Sequence, residues 1–120
     1  MTTTQSADRI RTLERRAEQT RDSFNPDPPD DERAMSVVRE GFGPTVSLYC
    51  EARTGESWVR FDSDSFERLE ATMNAWLDLY AQCYGVTLDG TYGIREAAEL
   101  LVDTHNARDT AQVMTGVPDR

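Results

Sequence analysis

One stretch of this chain leaves little freedom in how it folds. Between Asp64 and Tyr84, the residues Phe66, Leu69, Met73, Trp76, Leu77, Tyr80, Cys83 and Tyr84 recur at helical spacing. At about 100° per residue they fall within one arc of a helix, and Glu67, Ala71, Asn74, Ala75, Asp78 and Gln82 fall opposite. Asp64 and Glu67 stand at capping-box spacing, and Gly85 closes the segment. A stripe of such large side chains cannot bury itself, so the flanking segments must cover it.

Downstream, a Val86–Gly90 turn leads to Thr91, which can cap a helix running to about His105. Ile94, Ala97, Ala98, Leu101 and Val102 form its core side; Glu96, Glu99 and Asp103 form the solvated side. A short helix around Asp109–Met114 ends at Gly116, with Val117 and Pro118 behind it.

Upstream, Asp31 can cap a helix over Glu32–Glu40, with Ala34, Met35, Val37 and Val38 on the apolar side and Gly41 as terminator. Gly41-Phe42-Gly43-Pro44 then forms a tight connection. Val46, Leu48, Cys50 and Ala52 alternate with Ser47, Tyr49, Glu51 and Arg53, a period of two. Thr54-Gly55 offers a turn and Trp58-Val59-Arg60-Phe61 favours β structure, so the expectation is a β-hairpin. The rival is a helix over 45–53, because Val46, Tyr49 and Cys50 also share a helical face. The expected fold is α+β, mainly α: a helical domain with one β-hairpin packed on the 64–84 helix. An all-α bundle is the alternative.

Ser6 to Asp22 reads as a weak helix whose apolar positions, Ile10, Leu13 and Ala17, are surrounded by Arg and Glu. Asn25-Pro26-Asp27-Pro28-Pro29-Asp30-Asp31 breaks any helix and reads as an extended linker. Residues 1–31 are therefore expected to be an N-terminal arm, and 32–118 a single compact domain.

The 120 residues carry 13 cationic side chains, all Arg, and 22 acidic ones, a formal charge of −9. Residues 1–24 are close to neutral and the acids concentrate beyond them. No basic patch suits nucleic acid, no apolar run is long enough to span a membrane, and Met1–Asp8 lacks a signal-peptide core. Two cysteines and no signal point to reduced thiols in a cytoplasm. An acidic, Lys-free composition resembles that of cytosolic proteins from salt-loving archaea, where high ionic strength screens self-repulsion.

Candidate sites are few. His105, the single histidine, projects onto the Ile94–Leu101 face and reads either as a buried acid–base or metal-binding imidazole or as a helix-end histidine. Cys50, Cys83 and His105 could supply three metal ligands, but none sits in a paired ligand motif, so no metal and no cofactor is expected. Glu96, Glu99 and Asp103 share one face, opposite the apolar stripe, where a solvated role outweighs catalysis. Trp58 beside Arg60 suits an exposed interface anchor, and the N-terminal arm offers Arg15 and Arg16 to a partner.

Val59-Arg60-Phe61-Asp62-Ser63, Phe66-Glu67-Arg68-Leu69-Glu70 and Gly93-Ile94-Arg95-Glu96-Ala97-Ala98 resemble a ribbon–helix–helix repressor. That resemblance implies a dimer reading DNA through the 58–61 strand with Arg60. The sequence departs from it in the length of the 64–84 helix and in a ready partner strand at 46–52. Gly41-Phe42-Gly43-Pro44, Met73-Asn74-Ala75-Trp76-Leu77, Leu79–Gly85 and Asp109-Thr110-Ala111-Gln112 resemble segments of small haloarchaeal proteins of uncharacterised function. This second resemblance implies an archaeal cytoplasm and no chemistry. The expected function is a non-catalytic protein-interaction or regulatory module acting on a protein partner or a second copy as a homodimer. The alternatives are a ribbon–helix–helix-like DNA-binding regulator and a small enzyme or metal protein built around His105.

Overall fold

The computed structural model describes the backbone of residues 2–54 and 63–118, and the side chains of 8–51 and 64–118. The described residues form six α-helices and one π-turn: α1 (Thr2–Asp22), α2 (Asp31–Val37), the π-turn (Val38–Phe42), α3 (Gly43–Thr54), α4 (Ser63–Gln82), α5 (Ile94–Thr104) and α6 (Ala107–Thr115). α4 is the axis, in contact with every other element. Leu69, Met73, Trp76, Leu77, Tyr80 and Cys83 are at most 1% exposed, so the stripe that defines the helix is the centre of the core. Leu79 and Ala81 are buried too, although they lie outside that stripe, because α4 is covered on more than one side.

α1 is one of the covering elements. Ile10, Leu13 and Ala17 enter the core, and three polar contacts hold the helix from outside it. Arg9 pairs with Glu51 at 2.9 Å, and Arg68 of α4 grips Glu14 through two nitrogens at 2.5 and 3.1 Å. The Arg16 guanidinium donates to the Glu40 carbonyl at 2.8 Å. After the Pro-rich segment, Asp30 caps α2 by accepting the Arg33 N–H, one residue earlier than the sequence suggests. The Asp30 N–H donates to the Cys83 carbonyl and the Tyr84 hydroxyl to Asp31, both at 2.7 Å, so the start of α2 is fastened to the end of α4.

The expected hairpin is overturned. The 45–53 segment is α-helical, there is no strand among the described residues, and the all-α alternative fits. The second half of that hairpin, 58–61, lies outside the described residues. The period-two pattern misleads because α3 is packed by α1, α4, α5 and the π-turn. Val46, Leu48 and Tyr49 are all buried, and positions buried on several sides of a helix can mimic alternation.

Gly41 does not end α2; the chain runs from Asp31 to Thr54 without leaving helical geometry. Buried positions here advance by four residues, as Ala34, Val38, Phe42 and Val46, and again as Val37, Gly41, Thr45 and Tyr49. In a straight α-helix each step of four drifts by about 40°, or about 120° from Ala34 to Val46. The π-turn, closed by Gly43 N–H to the Val38 carbonyl, absorbs one residue and cancels most of that drift. It also accommodates Pro44, which has no N–H for the Glu40 carbonyl and whose ring would crowd it. Arg16 supplies that carbonyl's donor, and the Thr45 hydroxyl donates to the Gly41 carbonyl at 2.7 Å. Gly41 is required by packing: a Cβ there would lie 1.9 Å from Cδ2 of Trp76.

α5 has Gly93 at its N-cap, where Glu70 of α4 accepts the Ile94 N–H at 3.0 Å. Asn74 clasps the backbone of Tyr92 in both directions, at 2.7 and 3.0 Å. Asn106 caps α6 and Gly116 ends it in the left-handed region, with Val117 buried beyond. The Tyr80 hydroxyl donates to the Val117 carbonyl at 2.7 Å, and burial pushes its pKa up to about 12.

Candidate functional site

The residues singled out in the sequence do not gather at one place. Trp58 and Arg60 lie outside the described residues. His105 is exposed, at the C-cap of α5 with φ 54° and ψ 26°, its N–H donating to the Leu101 carbonyl. It stands at the corner between α5 and α6 because the left-handed turn carries it off the helical face that projection assigns it. Cys83 is buried in α4 with its thiol on the Leu79 carbonyl, and desolvation raises its pKa to about 11. Cys50 is half-buried in α3 with its pKa raised, by burial first and then by Glu51. Both thiols are therefore held protonated and weakly nucleophilic at neutral pH. No group of three His, Cys, Asp or Glu side chains able to hold a metal ion occurs among the described residues. Glu96, Glu99 and Asp103 are exposed along α5. Arg16 is committed to the Glu40 carbonyl, while Arg15 is exposed and makes no hydrogen bond or ion pair among the described residues.

Two concave features stand out instead, and α1 walls both. The first is an open groove of about 270 Å³ between α1 and α4. Its floor is built from Ala17, Ala71 and Ala75 with Thr72 and Leu79. Small side chains on both helices leave unfilled space where larger ones would interlock. Glu14, Glu18, Asp78, Arg21 and Gln82 rim the groove, three carboxylates against one guanidinium. Asp78 has its pKa raised by desolvation, so a cation brought to it would relieve that cost. Glu14 already shows the pairing a rim carboxylate can make, in its two-pronged grip by Arg68.

The second is a cavity of about 230 Å³ where the last turn of α1 meets α2, the π-turn and Trp76. Trp76 is 1% exposed, and its indole N–H has no hydrogen-bond partner among the described residues. A buried donor left in this state costs about 1–3 kcal/mol. Arg33 on one wall lies over the Phe24 ring at 6.0 Å and pairs with Asp30 at 3.3 Å. Glu40, on the same wall two helical turns on, is in no ion pair among the described residues.

Sequence inspection passes over both features. The signals were present: Ala71 and Ala75 are small residues one turn apart on the polar side of α4, and Arg33 and Glu40 are seven residues apart on one helix face. Neither becomes meaningful until α1 is known to pack against them. No helix is long and apolar enough to cross a membrane among the described residues. A family model described as a domain of unknown function (DUF8055) matches residues 4–119. No curated protein and no solved structure matches the chain.

Proposed function

The chain belongs to the DUF8055 family, a domain of unknown function, and from that premise we propose that it is a non-catalytic interaction module that receives a basic peptide segment of a partner protein. The acid-rimmed α1–α4 groove carries this reading. Its alanine floor suits the aliphatic stem of an Arg or Lys side chain, and Glu18 and Asp78 suit the cation at its end. Charge complementarity of this kind chiefly sets partner choice and encounter rate. A chain of charge −9 with no Lys fits work in a salt-rich cytoplasm. There, long-range steering is screened within about 8 Å or less, and the contacts that survive are short-range ones like these.

The test uses a fluorescent hexapeptide, Ala-Arg-Ala-Ala-Arg-Ala, titrated with the full chain and followed by anisotropy at about 0.15 M salt. The double variant Glu18→Gln/Asp78→Asn should bind about tenfold more weakly. A variant with the same charge change on α5, Glu96→Gln/Asp103→Asn, should bind as the parent does. Equal weakening in the two variants would reduce the binding to bulk charge and end the proposal. Peptide binding that is absent, with self-association lost only in the groove variant, would make a second copy the occupant and overturn the assignment to a foreign partner.

A further inference from the structure

The cavity beside Trp76 is chemically unlike the groove, and it carries a separate inference. Its Thr20 hydroxyl donates to the Arg16 carbonyl at 2.8 Å and its Ser23 hydroxyl to the Gln19 carbonyl at 3.2 Å. With their protons committed to α1, both oxygens keep lone pairs and act as acceptors. Ser36 makes no hydrogen bond among the described residues. Arg33 uses its Nε on Asp30, which leaves other guanidinium N–H groups unspent. Trp76, whose buried indole N–H has no hydrogen-bond partner among the described residues, also lines the cavity. The Arg33 side is therefore rich in donors, and the Glu40 side offers a carboxylate.

Arg33 and Glu40 are seven residues apart, about 10 Å along the helix axis. Opposite charges at that spacing, lining one small cavity, match a ligand with a carboxylate at one end and an ammonium group at the other. We propose that the cavity binds a short zwitterion whose two charges are held apart, a dipeptide. Its carboxylate meets Arg33 and the Ser36 hydroxyl, and its ammonium group meets Glu40. Trp76 and Phe24 supply the apolar wall for its carbon atoms. The site is distinct from the α1–α4 groove: both features are lined by α1 and α4, but they share no lining residue.

The indole N–H makes the test direct. In ¹⁵N-labelled full-length protein the two tryptophans give two indole cross-peaks, and Trp58→Phe removes the one that does not belong to Trp76. Addition of Ala-Ala should move the Trp76 peak saturably, in the millimolar range or tighter. N-acetylalanine carries only the negative end and alaninamide only the positive one, and each should bind at least about tenfold more weakly. Glu40→Gln, a change at an exposed position, should weaken Ala-Ala binding while leaving the parent spectrum otherwise in place. Calorimetry on unlabelled protein gives the same ranking without reliance on the tryptophans. A Trp76 peak unmoved by Ala-Ala with no calorimetric heat, half-charged probes that bind as well as the zwitterion, or a Glu40→Gln variant that binds unchanged would each overturn the assignment.

Discussion

Gly41 shows how one residue can mean something different from what its type suggests. Glycine at the end of an apolar helical segment ordinarily stops the helix, yet here it sits within a continuous one, flat against the Trp76 ring. Substitution by alanine raises intrinsic helix propensity by up to about 1 kcal/mol. The new methyl would lie within about 2 Å of three ring atoms of an indole that is 1% exposed. Overpacking should win: Gly41→Ala is expected to lose about 2–3 kcal/mol net, read as a fall of about 10 °C or more in the midpoint of thermal unfolding followed by circular dichroism. A stabilised variant would mean that the indole yields to the methyl and that helix propensity outweighs the packing clash. His105 carries a similar lesson, since its left-handed backbone removes it from the apolar face on which a helical wheel draws it.

At the scale of elements, the helix from Asp31 to Thr54 is the informative case. Pro44 cannot donate to the Glu40 carbonyl, and Arg16, reaching across from α1, supplies the missing donor. The two residues should therefore be energetically coupled although they are 28 positions apart in the sequence. Arg16→Gln alone is expected to cost about 1 kcal/mol in urea unfolding. In a Pro44→Ala background, where residue 44 regains an N–H, the same change should cost less than half as much. Equal costs in the two backgrounds would show that Arg16 acts by charge and not as a substitute donor. The sequence makes α4, α5 and α6 legible because each carries apolar residues at helical spacing, although α5 starts behind Gly93 and not behind Thr91, and Asp64 lies inside the first turn of α4. It leaves the π-turn illegible because Gly41 and Pro44 both look like punctuation there. Their real roles, close approach and a skipped hydrogen bond, depend on Trp76 and Arg16, which are distant in sequence. The same cause hides the two concave features, each of which needs α1 in place before its lining residues meet.

On the scale of the whole molecule, charge is the dominant fact. A formal −9 on 120 residues repels itself in dilute salt, and among the described residues few acids are paired: Asp8, Asp30, Glu14 and Glu51 hold the ion pairs. Screening should therefore outweigh the loss of those pairs. The unfolding midpoint is expected to rise between about 0.1 and 1 M KCl, as the Debye length falls from about 10 to 3 Å. A midpoint that falls over this range, measured by calorimetry, would assign the larger role to the ion pairs. The fastening of Asp30 and Asp31 to Cys83 and Tyr84 has a mechanical consequence as well. Tension applied between the two ends of the chain first peels α1 from one side and α6 and α5 from the other. It then meets itself at this clasp, and the load passes straight across two hydrogen bonds. Everything between residues 31 and 83, the Trp76 core included, is slack until those bonds give way. The chain between residues 31 and 83 is thus closed at its ends into a ring, and the clasp takes the load before the segment it encloses does.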